Sequence, residues 1–157
     1  MTRDRFTQLV KESQAGLRRF LTALCCGDGA LADDLAQEAY LRAYLAIDTA
    51  GDIANFYGWT RRIAYNCFIS HMRSHKLNEP IEQAAGIHAS TGADDSFRYQ
   101  ALYKALGLLT DKERTAVVMY YLEDTPTAEI AATLETSEGN IRQILSRGRN
   151  HLKNLLS

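Results

Sequence analysis

Apolar residues recur three and four positions apart along almost the whole chain. No segment shows the strict alternation of apolar and polar residues, or the Asn-Gly punctuation, that indicates a β-hairpin. The pattern predicts helices at about 4–24, 30–46, 55–75, 96–109, 111–122, 126–134 and 137–155. Thr110 is a suitable cap for the fifth of these. We therefore expect an all-α protein.

The spacing also predicts which side chains form the core. Phe56, Trp59, Ile63 and Cys67 share one stripe of the third helix, and we interpret Trp59 and Ile63 as core residues. The stripes of the first two helices comprise Phe6, Val10, Leu17, Phe20, Leu21 and Leu24, and Leu31, Leu35, Leu41 and Leu45.

The helical pattern is interrupted at residues 77–95. This segment, LNEPIEQAAGIHASTGADD, contains one Pro, two Gly and no aromatic residue, a composition typical of a linker. Ile81 and Ile87 could dock on either side of it. We therefore predict two small helical domains, 1–76 and 96–157, joined by a flexible linker at 77–95.

The last segment, TPTAEIAATLETSEGNIRQILSRGRNHLKNLLS, predicts a short helix, a tight turn and a second helix. Thr125 can cap the first helix with Pro126 at its first position, and Ser137 can cap the second. Small Ala131 permits the two helices to cross closely. The expected buried positions are Ile130, Leu134, Ile141, Leu145, Gly148, Leu152 and Leu155. This arrangement is a helix-turn-helix.

Charge is separated along the chain, although the net charge is only −1. After Glu138 the chain carries Arg142, Arg147, Arg149 and Lys153 and no acid. A rotation of about 100° per residue places Gln143, Ser146 and Asn150 outward, with two of the arginines beside them. These residue types contact bases and phosphates, which favours DNA recognition. Alternatively, the cations only complement the dipole at a helix C-terminus.

Other chemistry finds little support in the sequence. Three cysteines without a C-x-x-C spacing argue against a disulfide framework and a thiolate zinc site, and favour a reducing cytoplasm. Cys67, His71 and His75 are four apart, but three collinear residues span two turns, too far for one ion. No catalytic motif and no apolar run near the roughly 20 residues of a membrane span occurs. We expect no catalytic site, no cofactor, no metal and no membrane insertion.

Two sets of motifs resemble the extracytoplasmic-function sigma factors, a group of bacterial sigma-70-type transcription initiation factors. The first comprises ADDLAQEAYLRAY at 32–44 and NFYGWTRRIAYNCFISHMR at 55–73. The second is LTDKERTAVVMYYLEDTPTAEIAATLETSEGNIRQILSRGRNHLKNLL at 109–156. The order of both motifs across a linker matches the family over nearly the whole chain. Glu135 departs from it, because many relatives have Gly at this turn position.

The resemblance implies a region 2 that binds core RNA polymerase and opens the minus-10 element, and a region 4 that binds the minus-35 duplex. An anti-sigma factor is a further partner that the family implies. The loop at 48–56 would cap a flipped minus-10 base. The implied polymerase-binding residues are Asp33, Asp34, Gln37, Glu38 and Arg42. The implied minus-10 residues are Asn55, Phe56, Tyr57, Arg61, Arg62, Tyr65 and Asn66. The implied minus-35 residues are Ser137, Asn140, Arg142, Gln143, Ser146, Arg147 and Arg149.

Other interpretations stay open at this point. The acidic face of the second helix could be a solvated surface without a partner. The whole chain could be a helix-turn-helix regulator that does not depend on polymerase, or a helical adaptor that does not bind DNA. The sigma-factor hypothesis expects two separate compact bodies, with Arg61, Gln143 and Arg147 exposed to promoter DNA.

Overall fold

The computed structural model describes residues 1–51, 53–78 and 93–156, and every regular element in these ranges is helical. The helices are α1 (Arg3–Leu24), α2 (Gly29–Ala46), α3 (Phe56–Asn78), α4 (Ala93–Gly107), α5 (Asp111–Val117), α6 (Thr127–Leu134) and α7 (Glu138–Leu156). A π-helical turn at Val118–Leu122 directly continues α5. The all-α prediction is confirmed. The predicted linker, with Ile81 and Ile87, lies outside the described residues except at its two helical ends.

Side-chain caps explain several helix starts. Asp28 accepts a 3.1 Å hydrogen bond from the backbone N–H of Leu31 at the start of α2. At α5 the Thr110 hydroxyl accepts from the Glu113 N–H at 3.2 Å, while the Glu113 carboxylate accepts from the Thr110 N–H at 3.1 Å. This reciprocal capping box satisfies two amides that the helix itself leaves unpaired. The predicted cap at Thr110 is confirmed.

The turn between α1 and α2 requires a glycine. Gly27 has a φ of +92°, a conformation that side chains disfavour, and its N–H donates to the Thr22 carbonyl at 2.9 Å. A Cβ placed there would lie 3.1 Å from the ring of Tyr103 on α4. Gly27 therefore both closes α1 and lets the second half of the chain pack against its end.

Helices α1, α2 and α3 pack on one another and form the first region. Leu17, Phe20 and Leu21 of α1 and Phe68 of α3 are fully buried. A smaller cluster near the start of α1 joins Phe6, Ala43 and Phe56, with Trp59 and Ile63 packed against it. The core interpretation of Trp59 and Ile63 is confirmed by this packing.

Helices α4, α5, α6 and α7 form the second region, and α6 and α7 are the predicted helix-turn-helix. The predicted stripe is buried at Ile130, Leu134, Ile141, Leu145 and Gly148, half-buried at Leu152 and exposed at Leu155. The prediction for Leu155 is wrong because the last turn of α7 is left uncovered.

The two regions share one core. A continuous cluster of buried apolar residues runs from Leu24 and Phe68 in the first region to Leu106 and Met119 in the second, and α1 packs against the π-helical turn. The predicted division into two helical regions is confirmed, but in this arrangement they pack together rather than standing as separate bodies. The packing of the two regions covers part of α3, where Arg61 contacts acids of the second region.

Candidate nucleic-acid interface

Helix α7 presents the polar face that its sequence predicts. Ile141, Ile144 and Leu145 turn inward, while Gln143, Ser146 and Asn150 are exposed on the opposite side. Arg142 and Arg147 are also exposed, and neither pairs with an acid in the described ranges. Two unneutralised cations beside outward amide and hydroxyl groups form a surface suited to phosphates and base edges.

Two residues predicted to contact the minus-35 element also hold the start of α7. The Ser137 hydroxyl accepts a 3.1 Å hydrogen bond from the Asn140 N–H, which confirms Ser137 as a cap. The Asn140 side chain donates to the Thr136 hydroxyl at 2.8 Å. Ser137 is exposed and Asn140 is half-buried. These contacts give both residues a role in the turn itself.

Arg149 lies at the edge of the same surface. Its guanidinium donates a 3.0 Å hydrogen bond to the Tyr121 hydroxyl on the π-helical turn, and this bond raises the pKa of Arg149. Tyr121 and its neighbours Tyr120 and Leu122 are exposed. Arg149 therefore connects α7 to an aromatic patch that the periodicity did not distinguish from core.

The turn between α6 and α7 explains the departure at Glu135. This residue has a φ of +55° and ends α6 in the left-handed conformation, and the Thr136 N–H donates to the Ala131 carbonyl at 3.0 Å. Glycine adopts this conformation without a steric penalty, whereas a side chain there is disfavoured. Glu135 keeps the helix-turn-helix geometry at some cost in stability.

The acidic face of α2 contains two ion pairs. Arg18 on α1 pairs with Asp33 at 2.6 Å, and Arg42 pairs with Glu38 one turn away at 2.6 Å. Asp34 and Gln37 are exposed and make no hydrogen bond or ion pair within the described part of the chain. The face is therefore solvated, with one carboxylate and one amide left unpaired.

The apolar residues next to this acidic face are the site feature that periodicity missed. Leu41, Tyr44 and Leu45 are exposed, Leu45 to 72%. The prediction that Leu41 and Leu45 are buried is wrong, because α2 packs through its small residues Ala32, Ala39 and Ala43 and through Leu35. Leu41 and Leu45 lie about one and two turns beyond Gln37, and two and three turns beyond Asp34, on the same side of α2. The low apolar contrast of an alanine-rich helix hides which side is buried.

The predicted minus-10 residues on α3 fall into two groups. Asn55, Arg62 and Asn66 are exposed, and the Asn55 side chain also caps α3 by accepting from the Gly58 N–H at 3.0 Å. Phe56, Arg61 and Tyr65 are buried, and Tyr57 is half-buried. The Phe56 ring packs edge-on against Phe6, with centroids 5.6 Å apart. In this arrangement only the first group is open to solvent.

Arg61 is only 3% exposed, so the expectation of an exposed Arg61 is wrong for this conformation. Its guanidinium donates to Glu123 at 2.9 Å and to Glu129 at 2.8 Å, both from the second region. It also donates to the Thr125 hydroxyl at 3.2 Å. The predicted cap at Thr125 is wrong as well, because α6 begins after Pro126 without a side-chain cap and Thr125 faces Arg61 instead.

Two tyrosines of α3 have raised pKa values, and one of them, Tyr57, lies beside this ion pair. The Tyr57 hydroxyl donates to Glu123, and burial followed by this hydrogen bond raises the pKa of Tyr57. Burial also raises the pKa of Tyr65 to about 12, and Asp111 and Glu135 of the second region add to the rise. Both hydroxyls therefore stay protonated at physiological pH, and that of Tyr57 serves as a donor.

Within residues 1–51, 53–78 and 93–156, no group of three His, Cys, Asp or Glu residues could hold a metal ion. His71 and His75 stack on each other with ring centroids 4.8 Å apart. Over the described ranges, no helix combines the length and the apolar character that crossing a bilayer requires.

Comparisons with known proteins match both parts of the chain. The family model for sigma-70 region 2 matches residues 9–77, and the model for sigma-70, region 4 matches residues 99–152. The ECF RNA polymerase sigma factor SigM of Bacillus subtilis is 32% identical over 87% of this chain and 86% of its own length. SigW of the same organism is 29% identical over 80% of this chain and 75% of its own length.

Solved structures show the same fold. The sigma factor RpoE from Bartonella quintana, in complex with the anti-sigma factor NepR, is 26% identical with a TM-score of 0.80, covering 97% of this chain and 96% of that one. CnrH, in complex with the cytosolic domain of CnrY, has a TM-score of 0.74 at 21% identity, covering 99% of this chain and 89% of that one. The arrangement of helices is therefore shared along nearly the full described length.

Proposed function

The chain belongs to the extracytoplasmic-function group of sigma-70-type RNA polymerase sigma factors, and we propose that three of its surfaces divide the work of promoter-specific initiation. It is an alternative sigma factor that binds core RNA polymerase and promoter DNA. The observation that carries the proposal is the polar face of α7, where Gln143, Ser146 and two unpaired arginines lie opposite a buried apolar face.

The minus-35 element is assigned to α7. Its exposed face offers hydrogen-bonding side chains for base edges, and Arg142 and Arg147 on either side suit the phosphates of a duplex groove. Ser137 and Asn140 hold the turn that aims α7 at the groove, and Arg149 lies at its edge. The helix-turn-helix thereby supplies duplex recognition.

The minus-10 element is assigned to α3 and the loop before it. Opening a duplex without ATP requires unstacked bases to be held by aromatic or amide groups while cations bind the backbone. Asn55, Arg62 and Asn66 are exposed. Tyr57 and Arg61 contact the second region and would require it to move, whereas Phe56 is buried within the first region against Phe6. Tyr65 is also buried.

Core polymerase is assigned to α2. Asp34 and Gln37, the paired charges of Asp33, Glu38 and Arg42, and the exposed Leu41, Tyr44 and Leu45 form one mixed acidic and apolar surface. Solvent-exposed leucines beside unpaired polar groups are typical of a protein interface. This apolar component supports docking over a merely solvated face.

The chain acts without catalysis of its own, in the cytoplasm where its polymerase is found. Because the similar sigma factor RpoE was solved in complex with the anti-sigma factor NepR, a protein of that class is a proposed partner of this chain. Each DNA surface need not bind tightly alone, since tethering through polymerase raises the effective concentration of the other at its site.

Run-off transcription with purified core polymerase tests the proposal. The chain is expected to yield a discrete transcript from templates that carry its minus-35 and minus-10 elements, and none from templates with either element scrambled. If the chain binds DNA in a gel-shift assay but yields no polymerase-dependent transcript, it would instead be a regulator. Absence of both DNA binding and transcripts would indicate a helical adaptor.

A further inference from the structure

We propose that the contact between the two regions is autoinhibitory: Glu123 and Glu129 bind the cation Arg61 in place of promoter phosphates and hold the minus-10 surface closed. We call this contact, formed by Arg61, Tyr57, Glu123, Thr125 and Glu129, the acid latch. The inference rests on the proposed function, because it takes α3 as the minus-10 surface.

The chemistry of the acid latch is that of phosphate recognition. The Arg61 guanidinium meets two carboxylate oxygens at 2.9 and 2.8 Å and one hydroxyl at 3.2 Å. Carboxylates and phosphates offer the same anionic oxygens to a guanidinium. While the acid latch is closed, Arg61 is therefore unavailable to a nucleic-acid backbone.

The two acids flank the start of the helix-turn-helix. Glu123 follows the π-helical turn and Glu129 lies in the first turn of α6, so both move with the minus-35 domain. Arg61 can be released only when this domain separates from α3. The acid latch thus couples the exposure of the minus-10 surface to the position of the minus-35 domain.

Glycine at position 58 permits the close approach. A Cβ on Gly58 would lie 2.9 Å from the Glu129 carboxylate oxygen and 2.7 Å from the Asn55 amide nitrogen. Because Glu129 pairs with Arg61, a methyl group at this position would displace the carboxylate and disturb the ion pair. Gly58 therefore offers a way to open the acid latch without changing any charge.

One hydrogen-bond donor of Arg61 stays unpaired in the acid latch. Arg61 Nε is buried and has no hydrogen-bond acceptor among the described residues. Burying a cation is costly unless its partners are complete, so removal of either acid leaves Arg61 poorly compensated. Contact with water or with DNA phosphates then becomes more favourable for the Arg61 guanidinium than burial between the two regions.

Promoter affinity depends on the fraction of molecules in which the acid latch is open. If only a fraction of molecules is open, in holoenzyme as in the free chain, the apparent dissociation constant for promoter DNA equals the intrinsic one divided by that fraction. Weakening the acid latch raises the open fraction and tightens binding by the same factor. We expect roughly threefold to tenfold tighter promoter binding by holoenzyme for a variant that removes both acids.

The experiment compares full-length wild type, Glu123→Gln, Glu129→Gln, the double variant and Gly58→Ala. Asp124→Asn is the matched control: it removes one negative charge from the residue next to Glu123, is exposed, and has a φ of +53°, which Asn tolerates. Small-angle X-ray scattering measures compactness of the free chain. Equilibrium titration of holoenzyme with promoter DNA measures affinity, and run-off transcription measures activity.

The expected result is a larger radius of gyration and tighter promoter binding for the double variant and for Gly58→Ala, with Asp124→Asn like wild type. Unchanged scattering, unchanged affinity despite opening, or an equal gain in Asp124→Asn would each overturn the inference. If wild type directs run-off transcripts but the variants bind promoter DNA no more tightly, the acid latch is contradicted while the proposed function stands. Failure of wild type to direct any transcript contradicts the proposed function.

Discussion

Arg114 of the second region donates a 2.8 Å hydrogen bond to the carbonyl of Leu24 at the end of α1, across 90 positions of sequence. The same guanidinium donates to the carbonyl of Leu106 at 2.8 Å and lies 6.0 Å from the ring centroid of Phe68. A buried cation thus satisfies the carbonyl ends of two helices, one from each region. This bond joins the regions on the side of α1, as the acid latch joins them on the side of α3.

Replacement of Arg114 by Ala should destabilise the protein by about 2–4 kcal/mol, because it removes the buried hydrogen bonds that the guanidinium donates to the carbonyls of Leu24 and Leu106. Urea unfolding followed by circular dichroism measures the change. Lys112→Ala is the control, because Lys112 is exposed and lies two residues before Arg114 on α5. It should change stability by less than about 0.5 kcal/mol. A loss below about 1 kcal/mol for Arg114→Ala would show that the bond to Leu24 contributes little.

Arg147→Ala and Gln143→Ala should lower promoter binding while leaving the fold intact, since both side chains are exposed. A lost phosphate contact weakens binding uniformly, whereas a lost base contact costs about 1–3 kcal/mol and relaxes preference at one position. Titration of holoenzyme against a series of minus-35 variants separates the two effects. Lys11→Ala on α1 removes an equal charge and serves as control. Wild-type affinity and preference in both variants would contradict the assignment of α7.

Charge reversal at Asp34 should weaken binding to core polymerase, because this carboxylate is exposed, unpaired and beside the apolar residues of α2. We expect a loss of roughly tenfold in affinity, which corresponds to about 1.4 kcal/mol. Pull-down with purified core polymerase at fixed salt measures it. Glu12→Lys is the control: Glu12 is exposed on α1, and its reversal makes the same charge change outside α2. Equal retention of Asp34→Lys and wild type would remove polymerase docking from this surface.

Glu135→Gly should stabilise the protein by about 1 kcal/mol, because glycine adopts the left-handed conformation at the end of α6 without a side-chain penalty. Loss of an acid near a helix C-terminus acts in the same direction. Thermal unfolding measures the change, with Glu138→Gly as a contrast: it removes an acid from the first turn of α7, where helical backbone disfavours glycine, and should destabilise. A lower melting temperature for Glu135→Gly would show that contacts of the side chain outweigh backbone strain.

Cys25 should react slowly with iodoacetamide near neutral pH. Burial, with Asp28 and Cys26 adding to it, raises the pKa of Cys25 to about 12. A raised pKa keeps the thiol protonated, so the rate of alkylation should increase with pH up to about 12. The stability that the neutral thiol contributes is fully present below its unfolded pKa of about 8.5 and is lost progressively as the pH rises through about 12.

Site-resolved mass spectrometry measures this rate. Opening of the interface should speed alkylation of Cys25 and Cys26 in Glu123→Gln/Glu129→Gln, since the Cys26 sulfur lies against Gly107 of the second region. Cys67, buried within α3, is the internal control and should stay slow in all variants. Equal rates for Cys25 in wild type and in the unfolded chain would contradict the burial of this turn.

Much of the local structure follows from short-range chemistry. The capping box of Thr110 and Glu113 and the cap of Ser137 are set within a few residues, so the sequence predicts them. The buried stripe of α7 has a strong contrast between apolar and polar sides, which places Gln143 and Arg147 outward. Where the contrast is weak, as in alanine-rich α2, periodicity predicts the wrong side for Leu41 and Leu45.

The sequence by itself determined the helices, the helix-turn-helix and its exposed cationic face, because helix periodicity and caps are local and recognition residues lie on one helix. Only the tertiary structure decided that Arg61 is covered by Glu123 and Glu129, that Thr125 binds Arg61 rather than capping α6, and that Arg114 binds Leu24. Those partners are 62 to 90 positions apart in the chain. A charged residue has the same local pattern whether it meets water, DNA or an acid of another domain, so its partner is fixed by packing alone.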